Sequence, residues 1–171
     1  MWLLVVPFMV LARPTAELLA LGAVLAASGV AGRGWAAGCI RKERELTTAG
    51  PYAHTRNPLY LGSLLIGLGV TVAGGRGEFV ALFGLFFVWV YGRTIRAEAH
   101  HLEQIFSERY AAYAREVPLF FPRALPYRGG NGDVPARRPF TVERWQRNRE
   151  YEALLGVLAG FAFLTVKMLW R

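Results

Sequence analysis

What most constrains this chain is the alternation of long apolar runs with segments rich in arginine. Residues 2–12, 16–31, 58–72, 79–91 and 151–170 are nearly free of charge. About 20 such residues, wound as a helix, cross the ~30 Å hydrocarbon core of a bilayer. Backbone amides find no water there, so spanning segments must close their own hydrogen bonds as helices or a closed barrel. Runs of this length without period-two alternation predict an all-α integral membrane protein. We expect a bundle of about five membrane helices with an amphipathic helix at one end.

Composition agrees. Hydrophobic residues make up 54% of the 171 and charged ones 19%, against about 25% charge in a soluble domain. The mean hydropathy is +0.28. Disorder, collagen and a disulfide scaffold are excluded. The net charge of +8 does not mark a nucleic-acid module, which needs a basic face on a folded soluble domain; here the basic residues flank apolar runs. Cys39 is the single cysteine, so no internal disulfide or thiolate cluster forms. Met1-Trp2-Leu3-Leu4 lacks the basic region of a cleaved signal peptide and reads as part of the mature chain.

Trp2–Ala12 would extend only ~16 Å as a helix. It is a short first arm of a hairpin or enters the bilayer part way, and Arg13-Pro14 stops it. Thr15 or one of its neighbours can cap the next helix, whose apolar part runs from Ala16 to Ala31; Gly22, Ala26, Ser28, Gly29 and Gly32 permit close helix packing. Pro58–Val72 and Phe79–Tyr91 form an antiparallel hairpin around the Gly74-Gly75-Arg76-Gly77 turn. A separate amphipathic helix is expected over 94–116, from Ile95, Leu102, Phe106, Tyr110, Tyr113 and Val117. The Pro/Gly-rich stretch 123–150 reads as a mobile polar linker to a last membrane helix, 151–171. The Gly156–Gly160 spacing of that helix reads as general helix packing. Residues 1–122 form the core.

Sixteen of the 20 basic residues fall in 33–56 and 93–150. The positive-inside rule places both segments in the cytoplasm, with Met1 cytoplasmic and the C-terminus outside.

Two cytoplasmic segments hold polar groups that look aimed. In the first, from Thr47 to Gly62, Asn57-Pro58 is a helix start with Asn as N-cap and Pro at the first position. Arg56 and free N–H groups there suit a carboxylate or phosphate, although a plain capped helix with an interfacial arginine reads equally well. In the second, Glu98 lies three residues after Ile95 and four before Leu102, on the apolar face, with His101 one turn on. A carboxylate placed so is either functional or paired with Arg93, Arg96 or Arg56. Glu98 and His101 lack the further ligands a metal needs, so no metal is expected.

Read together, these segments resemble the isoprenylcysteine carboxyl methyltransferase family, with its bacterial and phospholipid-methylating relatives. The motifs are Gly50-Pro51-Tyr52, Arg56-Asn57-Pro58-Leu59-Tyr60-Leu61-Gly62, Glu98…Leu102, Phe106, Tyr110-Ala-Ala-Tyr113 and Val117-Pro118. They cover about residues 42–122 in order. Asn57 stands where the eukaryotic branch has His, Ala99 replaces a second Glu, and Ser107 replaces the Gly after Phe.

The resemblance implies a membrane-embedded methyltransferase dependent on S-adenosylmethionine. Its cofactor would lie on the cytoplasmic side of a bacterial inner membrane, in a pocket closed by the amphipathic helix, and a lipophilic acceptor would enter from the bilayer. It implies Glu98, Arg93 and His101 at the reacting end, with Glu98 or His101 as base for an amine or phenol. Cofactor contacts would come from Tyr52, His54, Arg56, Asn57, Pro58, Tyr60, Leu61, Leu102, Tyr110, Tyr113 and Pro118. No nucleic acid and no obligate protein partner is implied. Two other readings stand beside it. One is an NADPH-dependent membrane reductase, since sterol and steroid reductases share an Arg-x-Pro-x-Tyr stretch. The other is a non-catalytic membrane protein that keeps the motifs as architecture.

Overall fold

A computed structural model of the protein describes residues 2–40, 45–129 and 140–170. Arg41, Lys42 and Arg44 of the first basic segment, and residues 130–139 of the expected linker, lie outside the described residues. The elements are α1 (Trp2–Leu11), α2 (Ala16–Cys39), a 3-10 turn (Gly50–Ala53), α3 (Pro58–Ala73), α4 (Gly77–Glu116), α5 (Val142–Arg147) and α6 (Glu150–Leu169). There is no strand among the described residues. By length and apolarity α2, α4 and α6 can each cross a membrane, whereas α3 is shorter. The all-α membrane architecture is therefore as expected.

Local chemistry sets the helix ends. The Thr15 hydroxyl accepts from the Leu18 amide at 3.3 Å, capping α2 as expected. The helix runs on to Cys39, eight residues past the apolar stretch, and its last turn, Ala36 to Cys39, is buried against neighbours. Gly75 takes a φ of +73° in the turn between α3 and α4, a conformation costly for any residue with a Cβ.

Close approach of α2 and α3 organises the bundle. A Cβ on Gly69 would stand 2.5 Å from the Gly22 oxygen, and one on Gly29 would stand 2.6 Å from the Gly62 oxygen. The two backbones thus touch over two turns in antiparallel register, which only glycine permits. Of the small residues expected at this seam, Gly22, Ala26 and Gly29 lie in it. Gly32 faces open space, and the exposed Ser28 bonds back to Val24 within its own helix. On α6, Gly156 and Gly160 likewise face open space, so that spacing packs nothing within this chain.

The largest departure concerns α4. The membrane helix expected at 79–91 runs on unbroken through the first half of the amphipathic helix expected at 94–116. A break at Ser107 separates it from the second half, so α4 is two helices joined at a kink. A straight helix would carry Glu116 ~43 Å from Phe87, yet the Phe87 and Phe120 rings lie 5.9 Å apart. The chain turns back at Ser107, where φ is 40° and ψ −115°. Ala99, Leu102 and Phe106 before the break pack against Tyr110, Tyr113 and Val117 after it. The positive φ favours glycine, which accounts for the Gly of the family pattern at this position.

The described parts of the basic segments meet at one end of the bundle. The stretch 123–150 is docked there where described. Arg123 and Tyr127 amides donate to the His54 and Ala53 oxygens, both at 2.9 Å. Arg144 Nε donates to the Gly38 oxygen at 2.6 Å and Asn148 Nδ2 to that of Ala37 at 2.8 Å. These bonds satisfy the last carbonyls of α2. At the opposite end Lys167 Nζ donates to the Met9 and Val10 oxygens, the latter at 2.7 Å, and so closes the end of α1.

Candidate cofactor and methyl-acceptor site

The site forms where residues 47–57, between α2 and α3, meet the reversed half of α4 and the chain that follows it. Two antiparallel strips of irregular backbone are zipped together. The Arg56 amide donates to the Pro118 oxygen at 3.0 Å, and the Thr55 hydroxyl donates to the Phe120 oxygen at 2.8 Å. Asn57 Nδ2 donates to the Leu119 oxygen at 2.9 Å, and His54 Nδ1 pairs with the Arg123 oxygen at 2.9 Å. The Tyr113 hydroxyl donates to the Tyr52 oxygen at 2.6 Å. Gly50, with a φ of +63°, turns the chain into this clamp.

Several motif residues thereby acquire different duties from those expected. Asn57 occupies the cap position of α3 but makes no side-chain cap bond. Its amide is spent on Leu119, and its own backbone N–H is held by the Thr55 hydroxyl at 3.2 Å. His54, expected among the cofactor contacts, is engaged by the backbone of Arg123. Pro58 opens α3 and is buried, and Leu61 is half-buried with its amide on the Asn57 oxygen. Thr55, absent from the expected set, is nearly inaccessible and bonds twice within the clamp. A threonine two residues before a helix start carries no sequence signal that separates it from an ordinary turn.

Inside the clamp lies an aromatic and cationic cluster. Arg56 Nη1 donates to the Tyr110 hydroxyl at 3.1 Å, and the guanidinium lies 5.8 Å over the same ring. Tyr110 and Tyr113 are buried edge-to-face, 6.2 Å between centroids, and Leu102 packs behind them. Three buried donors are left over: the Tyr52 hydroxyl, the Thr47 hydroxyl and Arg56 Nε have no hydrogen-bond partner. Such orphans cost on the order of 1–3 kcal/mol each, and three from one segment of ten residues suit a polar ligand. Burial pushes the Tyr52 phenol well above its ordinary range, helped by nearby Tyr113 and Glu98, so it stays a neutral donor.

The expected reacting end is more open. Glu98 is exposed rather than on a buried face, and its carboxylate lies near the Tyr60 hydroxyl. The ring of Tyr60 meets that of Tyr91 at 5.5 Å. Arg93 and His101 are exposed, as expected of solvated residues where α4 leaves the bundle, and no bond joins either to the clamp. Pro118 is half-buried and contributes its carbonyl to Arg56. Among the described residues, no group of three His, Cys, Asp or Glu stands together to hold a metal.

The comparisons bear on this arrangement. The chain is 40% identical over 114 residues to the cobalt-zinc-cadmium resistance protein CzcN of Cupriavidus metallidurans, covering 66% of this chain and 52% of that one. It is 37% identical over 119 residues to the nickel-cobalt-cadmium resistance protein NccN of Alcaligenes xylosoxydans xylosoxydans, covering 67% and 54%. With the protein-S-isoprenylcysteine O-methyltransferase of Schizosaccharomyces pombe it shares 31% identity over 81 residues, 47% of this chain and 34% of that enzyme. The chain spans about half the length of the first two relatives. No solved structure matches it. The sequence profile described as phospholipid methyltransferase matches residues 15–109, from the cap of α2 almost to the Arg56–Tyr110 contact. With more than half its length matched, the chain belongs to the phospholipid methyltransferase family.

Proposed function

We propose that the protein transfers a methyl group from S-adenosylmethionine to a lipophilic acceptor that reaches the site from the bilayer. The observation that carries this reading is the set of three unpartnered buried donors on one segment, from Thr47, Tyr52 and Arg56, of which Arg56 bonds Tyr110 and the Tyr52 carbonyl accepts from Tyr113. The donor set fits the cofactor. Arg56, with Nε free, offers a charge-assisted bond to an amino-acid carboxylate, and the two hydroxyls match its polar substituents. When bound, S-adenosylmethionine supplies an electrophilic methyl group on a sulfonium. The tyrosine faces favour a neighbouring cation. The clamp at 54–57 holds Arg56 in place and excludes water from one side of it, which strengthens its electrostatic contacts.

At the open side, the Glu98 carboxylate and Tyr60 hydroxyl stand where an acceptor head arrives. For an amine or hydroxyl acceptor a Glu98 oxygen takes the proton; a carboxylate acceptor needs no base. The excess of arginine in the segments at this end favours a cytoplasmic location for the site, and the bacterial relatives favour a bacterial inner membrane. Two relatives bear names tying them to cobalt, zinc, cadmium and nickel resistance. Lipid extracts of metal-challenged cells are therefore the first place to seek the acceptor.

The test is direct titration of detergent-purified protein with S-adenosylmethionine and, separately, with NADPH. Saturable binding of the first, lost in Arg56→Ala, supports the reading. Binding of NADPH alone moves the protein to the reductase class, and binding of neither at millimolar ligand points to a non-catalytic role. With an acceptor in hand, Glu98→Ala should lower turnover while cofactor binding survives.

A further inference from the structure

The clamp has an outer face that the proposed chemistry does not use. Val117-Pro118-Leu119-Phe120-Phe121-Pro122 is six apolar residues of non-helical chain following the reversed half of α4. Phe120 turns inward, onto Phe87. Phe121 is 75% exposed, and Leu125, just beyond, is 72% exposed. Such exposure is unusual beside a polar loop, so the level at which these side chains sit decides what covers them.

Two measurements set that level. Phe87 lies in the membrane half of α4, where Leu85, Val88 and Trp89 turn exposed apolar faces outward, as a lipid-facing helix does. The Phe120 ring is in contact with it, and the Phe121 ring lies 5.4 Å from that of Phe120. Moreover α3 has only 16 residues, or ~24 Å of helix, against ~30 Å of hydrocarbon. The chain that continues α3 at this end, Thr55–Asn57, therefore lies at the edge of the hydrocarbon, and so does the strip paired to it.

The backbone chemistry of the strip fits that location. Irregular chain at membrane depth is tolerated only where its polar groups are satisfied by protein. The carbonyls of Pro118, Leu119 and Phe120 are each taken up, by the Arg56 amide, Asn57 Nδ2 and the Thr55 hydroxyl. Prolines at 118 and 122 remove two of the five amide donors in that stretch. Arg123 and Arg128 follow at once, suited to the phosphate level. Arg123 turns back to the Glu116 oxygen at 2.9 Å.

We propose that residues 118–122 form a re-entrant wedge in the leaflet at the basic end, with Phe121 and Leu125 among lipid acyl chains. The occupant is the bilayer itself, because the strip adjoins the exposed apolar face of α4, has three of its five carbonyls paired internally, and is followed by Arg123 and Arg128. The wedge anchors the clamp at a fixed depth and does not depend on the methyltransferase reading.

A nitroxide at Phe121→Cys, in protein carrying Cys39→Ala and reconstituted in liposomes, reads this depth. Its collisions with oxygen should exceed those with a water-soluble nickel chelate, as at Trp89→Cys on the lipid face of α4 and unlike Arg147→Cys on the polar α5. A profile like that at 147 overturns the proposal. Phe121→Trp, which leaves Cys39 alone, gives a second reading. Its added emission should be quenched by lipids brominated in the acyl chains and spared by aqueous acrylamide. Quenching by acrylamide alone overturns the wedge, and quenching by neither shows that a protein surface covers the ring, which overturns it too.

Discussion

Arg33 and Glu150, 117 residues apart, grip each other through two bonds, Nε to Oε2 at 2.9 Å and Nη2 to Oε1 at 2.8 Å. The remaining guanidinium nitrogen donates to Ser63 at 2.5 Å, so one arginine joins α2, α3 and the start of α6. Glu150 is 6% exposed and Arg33 25%. Removing one partner strands a buried charge, at a cost of roughly 3–5 kcal/mol in fully buried pairs; partial access of water to Arg33 favours the low end. Glu150→Ala should therefore lower the unfolding temperature in detergent by several degrees, and Arg33→Met with Glu150→Leu should recover most of it. A single variant that melts like the parent would show that the pair contributes nothing.

The α2–α3 seam should tolerate no side chain where the backbones touch. Gly29→Leu or Gly69→Leu forces the helices apart against carbonyls at 2.6 and 2.5 Å, and overpacking of this kind costs ~1–3 kcal/mol or more. Gly160→Ala, facing open space, should leave the melting temperature unchanged. Thermal unfolding of the three variants side by side checks the contrast, and equal effects would contradict the seam.

Ser107 holds a backbone conformation that glycine adopts without penalty. Ser107→Gly should stabilise the protein by about 1 kcal/mol, and Ser107→Val should destabilise it by at least as much. Tryptophan-detected unfolding in urea gives both values. A destabilised glycine variant would mean that the break is set by packing alone.

Tyr52→Phe separates structure from binding. Its hydroxyl is buried without a partner, so removing it should leave the free protein as stable as before or slightly more so. If that hydroxyl serves the cofactor, affinity for S-adenosylmethionine should fall about 3- to 10-fold, the worth of one hydrogen bond. Calorimetric titration and melting of the same sample read both. Unaltered affinity removes Tyr52 from the site.

Arg56 is predicted to be irreplaceable by lysine. One nitrogen holds Tyr110 at 3.1 Å while Nε stays available, and a single ammonium cannot place donors in both directions. Arg56→Lys should bind the cofactor nearly as weakly as Arg56→Ala, whereas the exposed His101→Ala should bind it normally. Equal binding by parent and lysine variant would reduce Arg56 to a simple countercharge.

The helices, their caps and the close-packing face of α2 were legible in the sequence because each depends on neighbours a few residues away. Apolar runs of membrane length, Thr15 before Ala16, and glycines one or two turns apart specify their surroundings locally. The gathering of Tyr52, Arg56, Tyr110 and Tyr113 was legible only through the ordered motifs, since no spacing rule joins residues more than fifty positions apart.

Tertiary structure alone decided the rest. The sequence determined that this chain is an all-α membrane protein with most of its arginines in two segments, because apolar runs of this length without period-two alternation satisfy their backbone in hydrocarbon as helices. It could not show that α4 turns back at Ser107, since the periodicity of apolar residues continues undisturbed through the break. Nor could it show that Asn57 abandons its cap for Leu119, or that Arg33 reaches Glu150. A polar side chain takes whichever partner the fold brings within about 3 Å, and that choice is made only after the distant segments have met.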